Sequence, residues 1–166
     1  MATGRFNLDH LGSNLPNDFL TLAARAEGAK GALLFSASQT ESGLWGLTVE
    51  DFASALSLLL PTYMKSAVVG KVDFEVEVMA IEDGDSVDVE VASFDAVNEI
   101  SGGTTVAGTA KYPTWVTILC ANDDSPSGSA VGFLFRINRD HDDADDTATG
   151  DAAIGPNPIA GSYTTT

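Results

Sequence analysis

The chain has 166 residues, which is enough for one domain with a buried core. Its 24 acidic residues against 8 basic ones give a formal net charge of −16, and a surface this acidic repels nucleic acid and anionic membranes. Only 19% of the residues are charged and 44% are apolar, which favours a folded domain over acidic disorder. We therefore expect neither nucleic acid nor a membrane as a partner.

The N-terminal segment differs from the rest of the chain and is predicted to form an arm over residues 1–30. Its first residues lack the apolar stretch of a secretory signal, and no apolar run reaches the roughly 20 residues of a membrane helix. Helical spacing predicts one short helix in the arm, with Pro16 near its start and Gly28 as its stop. The residues in this pattern are Phe19, Leu22, Ala23 and Ala26. The arm either packs along the domain or orders on a partner surface.

From residue 31 onward the pattern indicates strands. The runs Gly31–Phe35 and Leu44–Leu47 are predicted strands. The next apolar run has two interpretations, because periodicity does not settle a segment this short. It forms either a helical face ended by Pro61 or a buried strand, and its apolar residues are Phe52, Leu56, Leu59 and Leu60.

The clearest pattern lies between residues 71 and 91. Apolar and charged residues alternate from Lys71 to Val78, and the alternation resumes at Val87 after an Asp-Gly turn. This period of two predicts two half-buried antiparallel strands joined by a tight turn. The predicted outer face is wet or meets a basic surface, because like charges across strands repel. Its acidic residues are Asp73, Glu75, Glu77, Asp88 and Glu90.

Two further strands are predicted, over residues 112–120 and 131–138. Val116, Ile118 and Cys120 face inward in the first, and Phe133, Phe135 and Ile137 do so in the second. Cys120 is the only cysteine, so no disulfide forms within the chain, and we expect it to be a small buried hydrophobe. Short antiparallel strands with Gly, Pro and Asp turns predict an all-β sandwich of jelly-roll type over residues 31–166.

The acidic segment 140–151 raises the question of a metal site. Asp140, Asp142 and Asp145 are the candidate calcium ligands, but an EF-hand loop needs Gly at its sixth position, where this chain has Asp145. We therefore favour a solvated loop without a metal and expect no cofactor. His10 and His141 are the only histidines and no nucleophile motif accompanies them, so we expect no enzyme.

Family-like motifs appear between residues 94 and 152. Val106–Tyr112 precedes the Val116–Ile118 strand, and Arg139–Ala152 joins the last predicted strands. These motifs resemble those of phage capsid decoration (cement) and head-fibre proteins, in which V-P-G-T-A-G-Y precedes a V-T-I strand and R-D-x-x-D-x-A-D-T-A-T-G-D-A joins the last strands. The chain departs from this pattern at Ala107 and Lys111, which stand where the family has Pro and Gly.

A second departure concerns the last strand, which is continuous in that family. Here Pro156 and Pro158 cannot donate ladder hydrogen bonds, so we expect the strand to be broken, bulged or at a sheet edge. The residues from Ser162 to Thr166 then either continue this strand or cross to a neighbouring subunit.

The resemblance implies a structural virion protein that is made in the host cytoplasm. Such a protein is a homotrimer that binds the major capsid protein on the outer surface of the virion and stabilises the capsid. The candidate trimer-interface residues are Leu134 and Tyr163. The candidate capsid anchors are the apolar residues of the arm, namely Phe6, Leu8, Leu11, Phe19 and Leu20.

The alternative function is a tail- or fibre-associated jelly-roll module that binds a receptor or carbohydrate. This function needs exposed aromatic side chains on a binding face. Trp115 is predicted to point outward from its strand, which keeps this hypothesis open. The other candidates are Trp45, Tyr63, Tyr112 and Tyr163.

Overall fold

The computed structural model describes residues 3–8, 21–22, 32–82, 93–123, 126, 130–155 and 157–166. Every regular element in these ranges is a β-strand, so none of them contains a helix long and apolar enough to cross a membrane. The strands are β1 Thr3–Leu8, β2 Thr21–Leu22, β3 Leu33–Phe35, β4 Glu41–Glu50, β5 Phe52–Met64, β6 Lys71–Val72, β7 Phe74–Glu82, β8 Thr104–Thr105, β9 Pro113–Leu119, β10 Ala130–Arg139, β11 Ala152–Ile154 and β12 Ile159–Thr165.

The strands form a large sheet and a small sheet, and all pairings are antiparallel. In the large sheet, β9 pairs with one edge of the long strand β5, and β12 and β11 follow each other along its other edge. Strand β1 lies beyond β12, and β3 and then β2 lie beyond β11. The small sheet has the order β4-β10-β7, and β6 and β8 form a separate short ladder.

The core lies between the two sheets, where alternate residues of each strand point inward. In β5 the buried residues include Leu56, Leu58 and Leu60, and in β10 they are those that the sequence predicts, Phe133, Phe135 and Ile137. Aromatic contacts join the sheets, with the ring centroids of Phe52 and Phe133 5.0 Å apart and those of Phe35 and Phe74 5.4 Å apart. The predicted antiparallel β-sandwich is confirmed.

The predicted N-terminal helix is wrong where the structure describes it. Thr21 and Leu22 form β2, which pairs with Leu33 and Leu34 of β3, and the remainder of the predicted helix lies outside the described residues. Backbone pairing with an existing sheet edge outweighs a short helical periodicity, because a helix this short is marginal on its own. Thr3–Leu8 of the predicted arm is also a strand, paired with β12.

The open interpretation of residues 52–60 is settled as a strand, and this strand continues through Pro61. Pro61 lies where the pairing of β5 with β12 ends and its pairing with β11 begins, so its missing N–H interrupts no regular ladder there. The Gly155 N–H donates to the Pro61 carbonyl oxygen at this junction (2.7 Å).

The expected break in the last strand is confirmed, because β11 ends at Ile154 and β12 begins at Ile159. Pro158 explains this interruption, because proline has no N–H to donate to the ladder. The strand then resumes within the same molecule, where Ser162 pairs with Ser57 of β5 and with Arg5 of β1. The C-terminal residues therefore complete their own sheet.

Candidate ligand-binding face

Strand β9 presents an exposed apolar side to solvent. Trp115 is 50% exposed and Leu119 61% exposed, whereas Val116 and Ile118 between them are buried. This alternation is that of an edge strand with one face on the core, and the predicted outward direction of Trp115 is confirmed. Trp115 and Leu119 lie on the same side of β9, and a contiguous exposed apolar surface, unlike a single exposed residue, marks a candidate interaction site.

The neighbouring strand β5 extends this surface. Residues that are directly opposite in an antiparallel pair share a face, and Pro61 is opposite Trp115 while Tyr63 is opposite Pro113. We call the combined surface the β9 face. It comprises the exposed Pro113, Trp115, Thr117 and Leu119 of β9 with the half-buried Ser57, Leu59 and Tyr63 of β5, while Pro61 among them is buried. None of these residues is charged, in a chain whose net charge is −16.

A tight turn before β9 exposes one more aromatic residue. Tyr112, directly before β9, is 61% exposed. The preceding residue, Lys111, has a φ of 64° and donates its backbone N–H to the carbonyl oxygen of Met64 (2.8 Å), so the turn is attached to the end of β5. Tyr63 of β5 is half-buried, and burial raises the pKa of its hydroxyl.

The acidic segment 140–151 joins β10 to β11, as the sequence predicts, and is organised around a buried arginine. The Arg139 side chain has no exposed surface, and its Nε and Nη2 donate to the two carboxylate oxygens of Asp146, both at 2.7 Å. Its guanidinium also donates to the carbonyl oxygens of Gly150 (2.8 Å) and Ala148 (2.6 Å). The segment is therefore held from inside.

The three candidate calcium ligands do not converge in this loop. Asp140 accepts a hydrogen bond from the Asp142 backbone N–H at its Oδ1 (3.1 Å), and Asp143 does the same for Asp145 (2.6 Å). These are local turn contacts of the kind that Asp makes in loops. Among the described residues, no three His, Cys, Asp or Glu side chains form a group that could hold a metal ion.

Asp73 departs from its predicted place on the outer acidic face. It lies between β6 and β7, it is 3% exposed, and its buried Oδ1 has no hydrogen-bond partner among the described residues. The acidic loop covers it, because the Asp73 N–H donates to Asp146 Oδ2 (3.1 Å) and the Asp140 N–H donates to the Asp73 carbonyl oxygen (3.2 Å). Burial, followed by the nearby carboxylates of Glu99 and Asp143, raises the pKa of Asp73 to about 7.

The rest of the acidic face of β7 is partly neutralised by β10. Arg136 donates two hydrogen bonds to the carboxylate of Glu77 and lies 4.5 Å from the centroid of the Phe94 ring. Glu75 is half-buried, and burial and then the charge of Asp140 raise its pKa. Asp88 and Glu90 lie outside the described residues.

The candidate anchor and trimer residues make contacts within the chain where the structure describes them. The Phe6 ring centroid lies 6.0 Å from that of Phe135 and 6.3 Å from that of Tyr163, whose hydroxyl donates to the Glu50 carbonyl oxygen (3.1 Å). Leu134 is half-buried on β10. Leu8 is in β1, and the other candidate anchors, Leu11, Phe19 and Leu20, lie outside the described residues. Roles in a trimer or on a capsid stay predictions.

Trp45, a candidate binding aromatic, and Cys120, the lone cysteine, are both core residues. Trp45 is 2% exposed and cannot contact a ligand at the surface. Cys120 is buried, which confirms its predicted role as a small hydrophobe, and burial raises the pKa of its thiol to about 12.

Sequence reasoning missed Arg139 and the position of Lys111. For Arg139 a signal exists, because the alternation that turns Phe133, Phe135 and Ile137 inward continues to residue 139. For Lys111 the only signal is its place in the turn motif where the resembling family has Gly.

No protein-family model and no curated protein matches the sequence. Similar solved structures include the CBM36-1 domain of a multidomain xylanase from the hindgut metagenome of Trinervitermes trinervoides (8% identity, 98% of this chain and 99% of that chain, TM-score 0.46). A second is the CBM22-1–GH10 modules of Clostridium thermocellum xylanase 10B complexed with xylohexaose (15% identity, 98% of this chain and 28% of that chain, TM-score 0.46). A third is the K3 adhesin domain of Lys-gingipain from Porphyromonas gingivalis (8% identity, 98% of this chain and 100% of that chain, TM-score 0.47). At these identities and TM-scores the likeness indicates no function by itself.

Proposed function

We propose that the chain is a non-catalytic binding module of jelly-roll type that holds carbohydrate on its β9 face. The observation that carries this proposal is the exposed Trp115 on an uncharged strand surface. An aromatic ring stacks on the apolar face of a sugar ring, and the surrounding surface must then accept hydroxyl groups without a charge mismatch. Thr117 beside Trp115 supplies an exposed hydroxyl for this purpose.

The length of the β9 face favours an oligosaccharide over a single sugar. Trp115 and Leu119 are four residues apart on the same side of the strand, which corresponds to about 13 Å along an extended chain. One sugar ring is shorter than this distance, so a ligand that contacts both side chains contains at least two sugars. A nucleic-acid strand would also stack on aromatic residues, but the net charge of −16 opposes a polyanion.

Replacement of Trp115 tests the proposal. We expect Trp115→Ala to weaken oligosaccharide binding by about 30-fold or more, because truncating an anchoring aromatic residue of an interface costs about 2 kcal/mol or more. Titration calorimetry with cellulose, xylan and galactan oligosaccharides measures the effect. Val97→Ala, at another exposed apolar residue, is the control and should bind as the unaltered protein does. Equal affinity of the Trp115 variant, or no binding of any glycan by the unaltered protein, would contradict the proposal.

The second candidate function is a capsid decoration protein. The favouring observation is that the segment from Arg139 to Ala152 resembles the corresponding segment of those proteins and connects β10 to β11, consecutive strands near the end of the chain. In this proposal the chain is a homotrimer on the outer surface of a virion, with the major capsid protein as its partner, and the exposed Trp115 and Leu119 are contact residues.

The mass of the purified protein in solution tests this second candidate. A decoration protein of this kind should elute in size-exclusion chromatography with light scattering at three times the chain mass of 17.2 kDa. It should also sediment with capsids that lack it and raise the temperature at which they burst. A monomer at high micromolar concentration that leaves capsids unchanged would remove this candidate.

A further inference from the structure

We infer that the ligand of the β9 face carries an acidic substituent, of the class of a uronic acid carboxylate, held between Lys65 and Lys111. This inference rests on the proposed carbohydrate-binding function and names the ligand class of the same face.

The two lysines lie side by side at one end of the β9 face. Lys65 directly follows Met64, the last residue of β5, and the Lys111 N–H donates to the carbonyl oxygen of that same Met64 (2.8 Å). Both lysines are exposed, and neither forms an ion pair with any residue of the described ranges. The backbones of the two lysines thus meet at the end of β5, close in sequence to Tyr63 and Tyr112, and both side chains are exposed.

Such a pair is unusual in this molecule, because acidic residues outnumber basic ones by 24 to 8. The arginines of β10 are engaged, Arg136 by Glu77 and Arg139 by Asp146. Adjacent like charges without a partner repel each other, so an anion bound between them relieves that repulsion. A carboxylate accepts charge-assisted hydrogen bonds from both ammonium groups.

The backbone of Lys111 is a second, independent observation. Its φ of 64° lies in the left-handed region, which Gly adopts without strain and a lysine does not. Asp51 and Ala55 share this conformation, so what distinguishes Lys111 is its place in the turn directly before the exposed Tyr112. The strained turn holds the Lys111 backbone at the end of β5.

The position of the lysines specifies how the ligand lies. A sugar ring stacks on Trp115, and the acidic substituent extends past Pro113 toward the joined ends of β5 and β9. One local carboxylate suits this site, whereas the net charge of −16 opposes a long polyanion.

Calorimetry with matched probes tests the inference, using xylo-oligosaccharides with and without one glucuronic acid branch. We expect at least tenfold tighter binding of the branched probe, and a weaker preference at high salt. Lys65→Gln combined with Lys111→Gly should abolish the preference while neutral binding is kept. Because Gly relieves the strain at residue 111, the variant should melt no lower than the unaltered protein.

Arg5→Gln is the control for the loss of a positive charge elsewhere; it removes one charge, against two in the double variant, from an exposed residue of β1, on the far side of β12 from β5. It should leave the preference unchanged. Equal binding of both probes by the unaltered protein, or a preference that survives in the double variant, would overturn the inference while leaving the proposed function intact. Failure to bind either probe or any other glycan would instead refute the proposed function.

Discussion

The substitution Arg139→Met is expected to lower the free energy of unfolding by about 3–5 kcal/mol, which is the usual effect of breaking a buried ion pair from one side. The Arg139 side chain has no exposed surface and that of Asp146 only 2%. Removing the guanidinium leaves the Asp146 carboxylate buried without its cation. It also leaves the carbonyl oxygens of Ala148 and Gly150 without their donor.

Arg136→Met is the matched control, because it removes an arginine of the same strand whose ion pair is only partly buried. The Arg136 side chain is 39% exposed and that of Glu77 14%, so we expect a smaller loss than for Arg139→Met. Urea denaturation followed by circular dichroism measures both variants. Similar small losses in the two would show that the buried arginine does not hold the acidic loop.

The protein is expected to lose stability between mildly acidic and neutral pH, and Asp73→Asn is expected to prevent most of this loss. The pKa of Asp73 rises from 3.8 to about 7 on folding. The folded state therefore binds a proton that the unfolded state has released, and the resulting stability is fully present below about pH 4 and is lost as the pH rises through 7. Asparagine stays neutral, so the variant should melt several degrees higher than the unaltered protein at pH 8.

Thermal unfolding from pH 4 to pH 8 provides the measurement. The gain from Asp73→Asn should be largest at pH 8 and should shrink toward pH 4, where Asp73 is protonated in both states. Asp142→Asn, at a side chain that is 84% exposed, also removes one acidic charge and is the control for net charge. Equal gains from both variants would contradict a specific role of Asp73.

Sequence patterns predicted the parts of this fold in which one face of a strand is buried. The alternation in β7, β9 and β10 gave the inward residues correctly, for example Val116 and Phe135, because a period of two leaves one choice of face. The interruption before β12 was predicted for an equally local reason, the absence of an N–H in proline.

The errors arose where a distant segment decides the local structure. Thr21 and Leu22 lie in a strand because the edge of β3 is available to them, and this edge cannot be inferred from helical spacing. Asp73 is buried because the loop after β10 covers it, although its neighbours in sequence indicate a solvent-facing position.

The candidate binding site likewise contains one feature that local sequence predicts and one that depends on distant segments. Trp115 was found from strand alternation alone. The proximity of Lys65 and Lys111 could not be found in this way. It depends on the antiparallel register that brings Tyr63 opposite Pro113 and on the hydrogen bond from Lys111 to Met64.

The most direct test of carbohydrate binding on the β9 face uses the chain's two tryptophans, which give separate indole N–H signals in a nitrogen–proton correlation spectrum. Trp115 is 50% exposed and Trp45 is 2% exposed, so the buried ring serves as an internal reference. On titration with an oligosaccharide that binds, the Trp115 indole signal should shift progressively while the Trp45 signal stays in place. Saturable binding that leaves the Trp115 signal unmoved would show that the ligand lies elsewhere.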